Sequence, residues 1–241
     1  MAEQAANIGQ KKSELPLGRM ILLGILAGAY IAMAGQLYTM VVQDLAKFLG
    51  SGFAQFLGGS VFSLGLMLVV IGGSELFTGN NMLVTMAALS GKAKWSALLR
   101  NWVVVFIANF IGSILLVTIM YYSELWKFGG MAWGVKALNI AVAKVSLSFW
   151  VALMRGIMCN WLVCLAVWLA LSSKDVVGKI FAIFFPIMAF VASGFEHSVA
   201  NMYFIPIGIF LKSQPAVVDL FTKTVTNLSV TNLTWQTFLV N

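Results

Sequence analysis

Charge is what this sequence has least of. Only 10% of its 241 residues are Asp, Glu, Lys or Arg, against roughly 25% in a soluble domain, and a soluble fold is excluded. Histidine is nearly absent, with His197 standing alone. There is no HExxH pair and no GxSxG elbow, so a membrane enzyme lacks both clustered metal ligands and a nucleophile with its base. The two cysteines, Cys159 and Cys164, stand five apart in one apolar run, which suits neither a CxxC metal site nor a disulfide framework. They read as packing residues. No metal and no cofactor is expected. The net charge of +7 is scattered over short loops rather than gathered in a stripe, which speaks against a nucleic-acid partner.

What is present in abundance is apolar sequence, 61% of the chain. Runs such as 20–42 and 103–122 carry no charge over twenty or more residues, enough for a helix to cross a ~30 Å hydrocarbon layer. The first run is too long for a cleaved signal peptide, and the polar segment up to Pro16 lacks the pattern of one. An all-α, multi-pass membrane protein follows, with spans at about 19–43, 53–91, 95–122, 146–171 and 176–211.

The second and fifth spans are longer than one crossing needs, and each is interrupted. Gly72-Gly73-Ser74-Glu75-Leu76-Phe77-Thr78-Gly79-Asn80-Asn81 breaks the second, and Ser193-Gly194-Phe195-Glu196-His197-Ser198-Val199-Ala200-Asn201 breaks the fifth. Both contain Gly-x-Glu. Interrupted spans at matching places are the sign of an inverted repeat whose broken helices build a site near the bilayer midplane. Irregular backbone at that depth must be buried in protein or face a water-filled cavity, so a polar pore or pocket is expected. The first repeat, 19–122, holds three spans. The second, 146–241, holds two, with 213–241 reading as an external loop and the start of another helix from about Thr234, so a sixth span is expected beyond what this chain contains. Residues 1–18 read as a cytoplasmic N-terminal segment and 19–241 as one pore domain.

Orientation follows the distribution of Lys and Arg in short loops. With the N-terminus inside, the inner segments hold Lys11, Lys12, Arg19, Lys92, Lys94, Arg100, Lys174 and Lys179, and the outer ones Lys47, Lys127, Lys136, Lys144, Lys212 and Lys223. The two Asn-x-Ser/Thr triplets at Asn227 and Asn232 would then lie outside.

Ionisable groups at membrane depth are Glu75, Arg155, Glu196 and His197, and each such group needs a partner or a function. His197 sits in a break matched by a second break, which favours a functional role over a packing one, and an imidazole can give a proton or a hydrogen bond to a weak-acid anion. The half-helix N-termini favour anions as well. Glu75, Glu196 and Asn201 suit a structural task at the breaks, the carboxylates accepting hydrogen bonds from freed backbone N–H groups. Arg155 is expected to tie helices together through a carboxylate or carbonyl. Phe62, Leu66 and Phe190 read as core on spacing alone, although large apolar side chains at such places can narrow a pore. Gly24 and Gly28, at four-residue spacing, point to a close helix contact within or between subunits.

Four segments together carry a resemblance. Phe62-Ser-Leu-Gly-Leu66, Gly73-Ser-Glu-Leu-Phe-Thr-Gly79, Cys159-Asn-Trp-Leu-Val-Cys-Leu-Ala166 and Ala192-Ser-Gly-Phe-Glu-His-Ser-Val-Ala-Asn201 are similar to the signature segments of the formate and nitrite transporters, in the same order. The resemblance implies an aquaporin-like fold of 3+3 spans, a homopentamer with a pore in each subunit, and the inner membrane of a bacterium with its lipid as surroundings. It implies an outer constriction from Phe62 and Phe190 with Leu66 beside the chamber, and an inner one from Leu76, Phe77 and Val163. Thr78 would face His197, Asn160 would sit close to that pair, and Lys144 would draw anions to the outer mouth. The substrate implied first is formate, with proton coupling through His197. Nitrite, hydrosulfide and short carboxylates are alternatives, and a non-transporting membrane scaffold is the reading from another class.

Overall fold

The computed structural model describes residues 1–225 and 227–240. Among them the chain forms helices and no strand. The order is α1 (Ala2–Ser13), α2 (Leu17–Val42), α3 (Ala46–Phe62), α4 (Leu64–Ile71), α5 (Phe77–Leu89), α6 (Trp95–Tyr122), α7 (Ala132–Val145), α8 (Phe149–Ser172), α9 (Val176–Ala192), α10 (Ser198–Leu211), α11 (Pro215–Thr224) and α12 (Trp235–Val240). Four stretches are long and apolar enough to cross a membrane alone: α2, α3 with α4, α6 and α8. At 1.5 Å per residue, α5 and α10, with 13 and 14 residues, reach only about 20 Å. They are half-helices that begin inside the structure, at the buried Thr78 and Val199.

The large apolar side chains lie on both sides of these helices. Ile107, Ile111 and Leu115 on α6 and Trp150 and Trp161 on α8 are exposed, as befits a surface whose solvent is lipid. The polar side chains are kept inside instead, among them Glu75, Asn80, Asn101, Asn109 and His197.

The tightest packing joins α2 to α6. A Cβ added at Gly28 would strike the Asn109 carbonyl oxygen, one at Gly112 would strike that of Ile25, and one at Gly24 would come within 2.6 Å of the Ala108 Cβ. The close contact expected of Gly24 and Gly28 is therefore internal to the chain, two helix backbones touching where only glycine fits.

Three helices fall outside the long apolar runs. The N-terminal segment forms α1, which lies on α5, with Gly9 set against the Leu83 carbonyl. The connection after α6 forms α7, whose Trp133 and Leu138 are fully buried. The stretch after Leu211, expected to be an external loop, folds back through a 106° bend into α11. Val217 and Phe221 are fully buried there, with α11 on α7. These short amphipathic helices place an apolar side on the bundle, and burial of that side holds them. α12 begins the helix expected from Thr234, and Asn241 lies outside the described residues.

Candidate functional site

Two breaks in helical backbone build the site. α4 stops at Gly72, and α5 restarts after an extended Leu76 (φ −105°, ψ 126°). α9 stops at Ser193, and α10 restarts after an extended His197 (φ −113°, ψ 113°). The corner of each is a glycine in the left-handed region, Gly73 at φ 73° and Gly194 at φ 72°, where a side chain is disfavoured. Corresponding amides are bonded alike: Glu75 N–H reaches the Leu23 carbonyl at 3.2 Å, and Glu196 N–H the Arg155 carbonyl at 3.4 Å.

The glutamates follow the same scheme. Glu75 accepts from Lys12 Nζ at 2.7 Å and from Asn80 Nδ2 at 2.7 Å. Glu196 accepts from Lys144 Nζ at 2.7 Å and from Asn201 Nδ2 at 2.9 Å. The carboxylates therefore take side-chain donors, in place of the freed backbone N–H groups expected from the sequence. A lysine from another helix neutralises each one, since an unpaired carboxylate at this depth is far costlier than a paired one. Lys144, expected at the outer mouth, is thus held in an ion pair, with its ammonium 5.4 Å from the Phe204 ring centre.

Between the breaks stand Thr78, in the first turn of α5, and His197. Thr78 Oγ1 and His197 Nε2 are 3.1 Å apart, and both residues are buried. His197 Nδ1 accepts the Ala200 N–H at 3.0 Å, capping α10. A nitrogen that accepts carries no proton, so Nε2 holds the hydrogen of a neutral ring and donates it to Thr78 Oγ1. The Thr78 hydroxyl proton is left to point elsewhere.

Three cavities meet these groups. One of 90 Å³ touches His197, Glu196, Lys144, Phe62, Phe190 and Tyr38. One of 350 Å³ lies against the first break, with Lys12, Leu66, Leu76, Asn80 and Lys179 in its wall. The third, of 630 Å³, opens sideways along α8 and contains Phe77, Thr78, Asn160, Cys164, His197 and Asn201. Phe62 and Phe190 meet edge to face with ring centres 5.9 Å apart, and Phe190 stacks on His197 at 5.7 Å. Leu66 shares the cavity of Leu76 rather than that of the two phenylalanines. Phe77 turns its ring to Phe106 and Trp102 on α6. Val163 is buried in the core one turn from Asn160.

The sequence profile of formate/nitrite transporters matches residues 1–241. The chain belongs to the formate/nitrite transporter family. A probable formate transporter of Methanothermobacter thermautotrophicus is 46% identical, over 87% of this chain and 82% of its own. Formate channel FocA of Escherichia coli (strain K12) is 37% identical over 88% and 74%. Among solved structures, a pentameric formate channel with formate bound superposes with a TM-score of 0.84 at 38% identity, over 93% of this chain and 88% of that one. An FNT family ion channel gives 0.74 at 27% identity, over 99% and 91%. This is a family of membrane transporters, not of enzymes.

Several residues that shape the site of this formate/nitrite transporter family member escaped the sequence reading. Lys12 is one, because it comes from a helix 63 residues away from its partner. Asn109 on α6 is another: it accepts the Phe77 N–H at 3.0 Å and donates to the carbonyls of Glu75 and Gly24 at 2.9 and 2.8 Å, binding the first break to α2 and α6. Arg155 is the opposite case. It was expected to tie helices together, yet its side chain is exposed, and among the described residues nothing accepts from its guanidinium. A signal for Asn80 was present, since Glu75 to Asn80 repeats the spacing of Glu196 to Asn201.

Proposed function

We propose that this chain forms a channel for formate through the inner membrane of a bacterium, with its N-terminus inside and with five copies in the assembly. The observation that carries the proposal is the Thr78–His197 contact, a neutral hydrogen-bonding pair between two half-helix N-termini at the only histidine of the chain. Formate is what the relatives named above carry, and one related structure is pentameric. The clustering of Lys12, Lys92, Arg100 and Lys179 toward one end, with Arg100 bonded to the carbonyls of Ser13 and Leu15, supports that end as the cytoplasmic one.

In this reading residues 19–241 are one pore domain of 3+3 design. The anion enters past Lys144 and the edge-to-face pair Phe62 and Phe190. It meets Thr78, His197 and Asn160, and leaves between Leu66, Leu76, Phe77 and Val163. The place α6 takes beside the first break is open beside the second, along the 630 Å³ cavity, and an equivalent helix of the second repeat would close it.

His197 offers the anion a hydrogen bond from Nε2, with the Thr78 hydroxyl as a second donor. Giving up a proton outright is a further step. A neutral imidazole is too weak an acid for it, so His197 must first gain a proton at Nδ1. That proton displaces the Ala200 N–H, and α10 loses its cap. Proton coupling and a local rearrangement of the second break are thus one event.

Anion flux into proteoliposomes tests the reading, with formate, nitrite and hydrosulfide compared at pH 7 and pH 5. Rapid formate entry that falls at least tenfold in His197→Ala supports it. Faster nitrite or hydrosulfide entry would move the substrate within the family. Absence of flux from assembled protein would leave a scaffold.

A further inference from the structure

Arg155 sets a problem that the single chain does not solve. Its carbonyl receives the Glu196 N–H, which puts it at the level of the second break, and a guanidinium at membrane depth is expensive unless something accepts from it. Arginine cannot shed the charge. At the equivalent place beside the first break stands Leu23, whose carbonyl receives the Glu75 N–H and whose side chain asks for nothing.

The surroundings of Arg155 form a stripe. Val151, Arg155, Met158 and Leu162 follow one another at helical spacing on α8, and Val151 and Met158 are 41% and 42% exposed. Ser193 and Gly194, at the corner of the second break, are exposed as well. Most of the side of α8 that lines the sideways cavity, with Gly156, Asn160 and Cys164, lies about 100–180° around the helix from Arg155, and Ala152 and Cys159 at its nearer edge lie about 40–60° away.

We infer that this stripe is a contact surface between subunits, on which a second copy of the chain supplies the oxygen that Arg155 needs. The inference rests on the self-assembly proposed above and assigns a face to it. Lipid tails carry no acceptor, whereas a neighbouring helix can bring a hydroxyl or a carbonyl freed near a break. The apolar residues on either side of Arg155 then exclude water from that bond, which strengthens it.

The test places a photoreactive benzoylphenylalanine at Met158 in the full chain, illuminated in native membranes. Adducts at multiples of the subunit mass are expected. Adducts with lipid alone, from protein that purifies as an oligomer, would overturn the assignment and return Arg155 to a lipid headgroup. In parallel, Arg155→Leu is expected to lower the fraction that stays assembled in mild detergent several-fold, with Arg155→Lys keeping part of it, and an undiminished oligomer in Arg155→Leu would also overturn the assignment. If the unmodified chain itself runs as single subunits, the self-assembly proposal fails with it. An assembled chain without cross-links fails the surface alone.

Discussion

The two breaks are built to one plan and finished differently. Each has a left-handed glycine, a glutamate two residues later, an asparagine five beyond that, and a lysine from elsewhere in the chain. The first is then closed with apolar groups: Leu76 stands where the second has His197, and Asn109 locks Phe77 and Glu75 to α6. The second carries the histidine, which lines cavities of 90 and 630 Å³. One break is thus held fast and the other carries a buried titratable group on a cavity wall. The shared parts set the geometry, and the unshared parts assign the chemistry to one side.

Mutations sharpen that comparison. The largest effect is expected from the glutamates. Glu75→Ala or Glu196→Ala strands a part-buried lysine and should cost up to about 3 kcal/mol each, read as loss of folded protein after heating in detergent. Glu75, with 4% of its side chain exposed against 11% for Glu196, should lose more. Removing both partners, as in Lys12→Met with Glu75→Leu, should recover part of the loss, because the apolar pair needs no counter-charge while Asn80 still loses its carboxylate acceptor. Asn109→Leu comes next. It leaves the Phe77 N–H unbonded, at about 1–3 kcal/mol for a buried group, removes the side-chain donor from the Glu75 and Gly24 carbonyls, and should loosen the first break while His197 stays capped, as amide exchange at Phe77 against Ala200 would show. Gly73→Ala and Gly194→Ala should cost about 1–2 kcal/mol each and equally, since an added Cβ meets nothing within 4 Å at either place. A clear inequality in thermal stability would break the claim of a common plan. The smallest effect is Thr78→Val, which removes one hydrogen bond worth about 0.5–1.5 kcal/mol, with Thr78→Ser close to the unmodified protein.

Much of this plan is legible in the sequence, because its parts are local. A Gly-x-Glu inside an apolar run interrupts the hydropathy wherever it occurs, so both breaks and the isolation of His197 can be read directly. What cannot be read is where a charged partner comes from. Lys12 and Lys144 sit 63 and 52 residues from their glutamates, and nothing in either neighbourhood announces the pairing. From sequence alone the carboxylates therefore point to the backbone donors beside them. The helices α1, α7 and α11 are hidden on different grounds: they are short and amphipathic, and the long charge-free runs that mark spans do not mark them. Arg155 shows the limit from the other side, since an expensive charge is easy to spot in sequence but its acceptor belongs to no segment nearby.

The bonds from Asn109 also impose a timetable. Its amide fixes the Glu75 carbonyl 34 residues earlier in the chain, so the first break cannot be set when it leaves the ribosome. At about 5–20 residues per second the wait for Asn109 lasts roughly 2–7 s, during which Lys12 and Asn80 are already made and can hold the Glu75 carboxylate. The early ion pair keeps the newborn loop in trim until the third long helix arrives to lock it.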